Sequence, residues 1–212
     1  MLSVLPNMPR PPRIYIPDLS LHVFQRGLNR TAIVADEHDR ERLLEFIAVA
    51  ANRYGVSVHG FSLMTTHFHL VVTPGGERVL AKTMQVISSR YTRYFNRKYE
   101  RIGTIWNERY GAILLEDERY WYNCLRYVEL NALAANIVAT PEAYRWSSYR
   151  VHALGEPCGW LTPHPLYSAL GRSAAERQAA YRAMCAIPLS ATELMLQRCP
   201  PRRAVVQMPA EV

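Results

Sequence analysis

Between Gly55 and Gly76 the chain reads GVSVHGFSLMTTHFHLVVTPGG, and no other stretch limits its fold as much. Val56 to Met64 and Phe68 to Thr73 are rich in β-branched and aromatic residues, and a short turn through Thr65 and Thr66 joins them. Two strand-like runs so close together pair as neighbours in an antiparallel sheet, and Gly75-Gly76 ends the second. Helical patterns flank them. From Glu37 to Tyr54 the apolar positions Leu43, Leu44, Ile47, Ala51 and Tyr54 recur at helical spacing, with Asp36 to cap the start and Gly55 to stop it. From Glu77 to about Tyr99 the stripe is Leu80, Met84, Ile87, Tyr91 and Phe95. Leu21 to Arg26 (LHVFQR) supplies an earlier strand, closed by the Gly27–Arg30 loop, and Gly111 to Leu115 supplies a fourth.

Strand, helix, strand, strand, helix, strand is the split βαβ order. The expected class is α+β: a ferredoxin-like (βαββαβ) antiparallel sheet with two helices on one face and the other face free to carry a site. A third helix is expected from a cap at Asp117 to about Val138, ahead of Pro141, and one more at Ser173 to Met184. The expected organisation is a loose lead-in over 1–19, a main folded domain over 20–150, a partly helical extension over 151–198 and a tail over 199–212.

Composition excludes whole classes of protein. Of 212 residues 49% are hydrophobic, too many for a disordered chain, yet no apolar run approaches the ~18–20 residues of a membrane span. Cys124, Cys158, Cys185 and Cys199 form no CxxC pair, so neither a zinc knuckle nor a disulfide framework is indicated, and a reducing cytoplasm is the expected compartment. No P-loop, G-x-S-x-G or HExxH occurs. Lys and Arg total 25 against 18 acids, a formal charge of +7. Eight basic and three acidic residues fall between Glu77 and Arg109, so much of the excess is local. Arg90, Arg93, Arg97 and Arg101 line one face of the second helix, with Tyr91, Tyr94, Tyr99 and Trp106 interleaved, a pattern suited to single-stranded nucleic acid. A solvated helix face with ordinary core aromatics is the plainer alternative. Arg26 and Arg30 around the Gly27–Asn29 turn form a second candidate clamp.

His67-Phe68-His69 is the sharpest local feature. On a strand the two imidazoles share one face, about 6–7 Å apart in Cα, and can grip one metal ion. A His-x-His pair arises by chance in about one chain in four of this histidine content, so the pattern alone is weak. In the third helix Tyr127 and Asn131 are one turn apart and share a face. An amide oxygen is a competent ligand for a hard divalent ion, and a phenol one turn away can reach a group bound to that ion. Packing or a nearby loop would account for either residue equally well. Few carboxylates lie near the histidines, which argues against a two-metal nuclease.

Taken together, the stretches HVFQRGLNR (His22–Arg30), GVSVHGFSLMTTHFHLVV (Gly55–Val72), YTRYFNRKYERIGTIWNERY (Tyr91–Tyr110), CLRYVELN (Cys124–Asn131) and YRWSSY (Tyr144–Tyr149) resemble the REP-associated tyrosine transposases. These are relatives of the single-strand insertion-sequence transposases, within the His-hydrophobic-His endonucleases. The resemblance covers about residues 20–150. Thr65-Thr66 stands where the family usually has Pro-Asn, and Ala-Leu-Ala-Ala follows Asn131 in place of Pro-Val-Arg-Ala. Leu28 departs from the usual Asn. The resemblance implies a bacterial enzyme that nicks and rejoins single-stranded or hairpin DNA at REP-like palindromes. Tyr127 would be the nucleophile, forming a 5′-phosphotyrosine, with Mg²⁺ or Mn²⁺ held by His67, His69 and Asn131. Arg26, Asn29, Arg30, Arg90, Arg93, Arg97 and Arg101 are the residues expected to bind DNA. Monomer and homodimer both remain open. Two other readings compete: a nucleic-acid-binding module without catalysis, RRM-like or descended from a transposase, and a small metal hydrolase using His67 and His69 for zinc.

Overall fold

The computed structural model describes residues 18–191 and 193–194. The expected tail over 199–212 and nearly all of the lead-in lie outside them. Strands β1 (Leu21–Arg26), β2 (Val56–Leu63), β3 (His67–Pro74) and β4 (Gly111–Leu114) form one antiparallel sheet in the order β2-β3-β1-β4. Helix α1 (Glu37–Tyr54) connects the first two strands and α2 (Val79–Lys98) the last two. This is the ferredoxin-like arrangement that the element order implies.

Local chemistry places the first helix within a residue of expectation. The Asp36 carboxylate accepts from Asp39 N–H in a capping box, and Gly55, at φ 70°, ends the helix in the left-handed region that glycine enters without strain. Asp39 is fully buried and does more than cap: Lys98, Tyr94 and Tyr99 of the α2 end all donate to it, tying the two helices together. α2 begins at Val79, after Arg78 at φ 64°, two residues later than the pattern suggests.

Side chains alternate along each strand, so the sheet has two faces. Val23, Phe68, Leu70 and Val72 face α1 and α2, packing with Leu43, Ile47, Met84, Ile87 and Tyr91. The second face is not open, contrary to expectation. Helix α3 (Glu118–Glu129) lies across β2 and β3, and Val71 joins Trp121, Cys124, Leu125 and Val128 in a second core. Gly60 lets α3 approach: a Cβ there would stand 2.4 Å from Leu125 Cδ1.

α3 is shorter than the expected helix. It stops at Glu129; Leu130 takes φ −89° and ψ 5°, and a four-residue helix α4 (Asn131–Ala134) follows. The Tyr127–Asn131 pair therefore straddles a break in the helix. Beyond it come α5 (Tyr149–Leu154), α6 (Pro165–Ala169) and α7 (Ala174–Cys185), which complete the second core through Tyr149, Ala153 and Tyr181. The YRWSSY stretch also covers the outer edge of β2. Leu63 N–H donates to the Trp146 carbonyl and Ser148 N–H to that of Phe61, so that edge carries fewer open hydrogen-bonding groups.

Candidate active site

The register of β1 against β3 sets Arg26 opposite His67, Phe24 opposite His69 and His22 opposite Val71. Opposed residues of an antiparallel pair point to the same face. His22, His67 and His69 therefore share the face that α3 covers. His22 is fully buried and His69 nearly so, whereas His67 is half-buried at the strand end.

Their ring nitrogens are divided between two uses. His69 Nδ1 lies 2.8 Å from His22 Nε2, and His67 Nδ1 lies 3.0 Å from Thr66 Oγ1. The buried His69 Nε2 has no hydrogen-bond partner, and His67 Nε2 makes no hydrogen bond among the described residues. The two rings meet edge-on with centroids 4.9 Å apart. Burial, and then the Arg26 charge, holds the His67 pKa at about 4. Burial, followed by the charges of His22, His67 and Arg26, keeps His69 well below the ordinary range. Both rings are neutral near pH 7, which is the form that binds metals.

Helix α3 brings Tyr127 to this place. Its ring packs edge-on against His69 at 5.6 Å and against His22 at 5.8 Å between centroids. Tyr127 is half-buried, and its hydroxyl makes no hydrogen bond among the described residues. Asn131, half-buried at the start of α4, likewise keeps its side-chain amide unengaged among them. The phenol and the imidazoles thus meet, and the residues fit a divalent cation in one respect: two neutral imidazoles with open Nε2 atoms. Among the described residues no group of three His, Cys, Asp or Glu side chains is arranged to hold one.

The basic residues divide into two sets. Arg26 borders His67, and the loop after it is tied to the turn before His67: Gly27 N–H donates to the Thr66 carbonyl and Ile33 N–H to that of Thr65. Asn29 and Arg30 stand exposed on this loop with φ of 51° and 59°, consecutive left-handed residues of a kind that side chains seldom adopt. Arg93 and Arg97 are exposed and Arg90 half-buried; all three lie on α2, the helix packed against the opposite face of the sheet. Arg101 lies beyond the end of α2, its guanidinium 5.6 Å over the Phe95 ring. The end of α2 nevertheless approaches the His67 end of β3, because Tyr91 OH donates to the Ile33 carbonyl and Leu28 N–H to that of Ile105.

Two features escape a reading by motif. His22 is one, although alternation on β1 already sets it on the face of Arg26. Glu129 is the other. This buried carboxylate accepts from Ser148 Oγ, from His152 Nδ1 at 2.6 Å and from Tyr181 OH at 2.6 Å, joining α3 to α5 and α7. Nothing in the sequence pairs Glu129 with residues up to 52 positions away.

Among solved structures the chain is similar to a REP-associated tyrosine transposase bound to a REP hairpin, at 14% identity and a TM-score of 0.59, over 75% of this chain and 96% of that one. It overlaps less well with a putative transposase from Deinococcus radiodurans (17% identity, TM-score 0.39, covering 49% of this chain and 84% of that one). The values for the tRNA(His) guanylyltransferase of Saccharomyces cerevisiae are 11% and 0.46, over 84% and 82% of the two chains. No curated protein matches. The family model described as "Transposase IS200 like" matches residues 15–131, more than half of the chain, and the chain belongs to that family.

Proposed function

We propose that this transposase is of the REP-associated tyrosine type, and that it nicks and rejoins single-stranded or hairpin DNA through a covalent tyrosine intermediate. The observation that carries the reading is the Tyr127 ring seated against His69, beside two imidazoles whose Nε2 atoms are open. In the proposed reaction Tyr127 Oη attacks the scissile phosphorus and the bond to the 3′-oxygen breaks. The phenol proton ends on the released 3′-hydroxyl, and the 5′-phosphate stays on the tyrosine. The new phosphodiester preserves the free energy of the old one, so a DNA 3′-hydroxyl can reverse the step without ATP, in keeping with a chain that has no P-loop.

His67 and His69 would hold Mg²⁺ or Mn²⁺, with the Asn131 amide oxygen as a third ligand. Such an ion polarises the phosphate and offsets the charge that develops on it. Arg26, at the mouth of this site, would bind the phosphate backbone, and Asn29 and Arg30 would hold the strand alongside it. Arg90, Arg93, Arg97 and Arg101 would bind DNA that passes around the edge of the sheet, since α2 packs on its other face. The similar structure's REP hairpin is the reason to propose hairpin DNA as the partner.

The test is incubation with a single-stranded hairpin oligonucleotide and Mn²⁺, followed by a denaturing gel. We expect a covalent protein–DNA adduct that Tyr127→Phe abolishes and that His67→Ala reduces by at least about 100-fold. Cleavage that persists in Tyr127→Phe would instead mean hydrolysis. Binding with no adduct in the unaltered protein would leave a hairpin-binding module.

A further inference from the structure

The His22–His69 contact contains information about which nitrogen of His69 is free to act. A neutral imidazole carries one N–H, and the 2.8 Å separation of His22 Nε2 and His69 Nδ1 requires one ring to donate. Were His22 the donor, His69 would carry its own proton on Nε2, a buried N–H without a partner that could not bind a cation. With His69 donating from Nδ1, its Nε2 presents a lone pair, and His22 carries its proton on Nδ1. In metal-free protein each arrangement leaves one buried N–H unpaired, since both His69 Nε2 and His22 Nδ1 lack partners. Hydrogen bonding alone therefore does not choose between them, whereas cation binding does.

We propose that His22 is a positioning residue, the acceptor that holds His69 in the Nδ1–H form and fixes its ring so that Nε2 faces the cation site. This rests on the reading that His67 and His69 hold a divalent ion. Ligating histidines generally donate their second N–H to an acceptor that sets tautomer and orientation, and losing that acceptor weakens metal binding by about 10–100-fold. At most sites water can substitute. Here it has no access, because His22 is fully buried, set nearly in line with His69 (ring centroids 5.0 Å apart, planes 28° apart) and packed against Phe24 and Tyr127. Thr66 Oγ1, 3.0 Å from His67 Nδ1, stands in the same relation to the other imidazole. Both ligands would then be oriented by groups from a neighbouring strand or turn, ahead of any ion.

The experiment measures Mn²⁺ affinity without DNA, by the electron paramagnetic resonance of free Mn²⁺, for the unaltered protein, His22→Phe, His22→Gln and His69→Ala. We expect His22→Phe, which preserves shape but cannot accept, to bind about 10–100-fold more weakly. His22→Gln, whose amide oxygen can accept, should recover most of that loss, and thermal melts in chelator report whether each variant folds. Nitrogen-15 spectra of the unaltered protein saturated with diamagnetic Mg²⁺ give an independent readout, with His69 and His22 each expected to carry its proton on Nδ1. Unchanged affinity in His22→Phe, or a proton on Nε2 of either ring in the Mg²⁺-saturated protein, would overturn the proposal. No Mn²⁺ binding by the unaltered protein, or full binding by His69→Ala, would instead remove the metal-site reading and this inference with it. Should His22→Phe fail to fold, the tautomer measurement decides alone.

Discussion

Arg26 shows how one side chain can serve two ends at the site. Placed opposite His67, it adds to burial in keeping that imidazole neutral, and it sets a fixed positive charge where a phosphate would approach. Arg26→Gln should therefore raise the His67 pKa from about 4 toward, but not to, the ordinary 6.5, because burial remains. A pH titration of the imidazole signals in metal-free protein measures this. An unmoved His67 would show that the guanidinium lies too far away to act. The same variant should weaken DNA binding, as loss of a phosphate contact does.

Helix α3 is held at two places, and both matter to Tyr127. Near its middle Leu125 packs over Gly60, where only a hydrogen fits beneath it. At its last turn Glu129 takes hydrogen bonds from three side chains that follow it in the chain, two from α5 and its cap and one from α7. Removing a buried acceptor leaves its donors unpaired. Glu129→Ala is therefore expected to cost about 3–5 kcal/mol in a urea denaturation series. A loss below about 1 kcal/mol would mean that the cluster does not hold α3. The break at Leu130 also belongs to this scale. Spacing along one helix could not foresee it, because a run of helix-forming residues on both sides continues the pattern through the bend.

At the scale of the whole molecule, charge and titration give two predictions. Arg90, Arg93 and Arg97 make no ion pair among the described residues, so they are free to neutralise phosphates. Replacing all three with Ala should reduce the slope of log affinity against log salt by about 2 for single-stranded DNA. An unchanged slope would take this face of α2 out of DNA binding. The second prediction concerns acid. His22, His59, His67, His69 and His164 all have pKa values depressed chiefly by burial, to about 3 for His22 and about 4 for His67 and His164. The unfolded chain takes up protons near pH 6.5 while the native one resists. The histidine contribution to stability should therefore be level well above pH 6.5 and fall as the pH drops toward 4, where the native rings begin to protonate. Denaturation midpoints at a series of pH values measure it, and a midpoint unchanged from pH 7 to 4.5 would refute it.

No helix among the described residues is long and apolar enough to cross a membrane. The order of strands and helices, the caps at Asp36 and Asp117 and the core stripes of α1 and α2 are legible in the sequence, because each is set by neighbours within a few residues. So is the common face of His67 and His69, which follows from alternation on one strand. The company those histidines keep is not legible. His22 reaches His69 through strand register, Tyr127 reaches both through the seat of α3 on Gly60, and Glu129 is surrounded by residues 19 to 52 positions further on. Such contacts depend on how separately formed elements pack, and packing is a property of surfaces that come together only when the chain has folded.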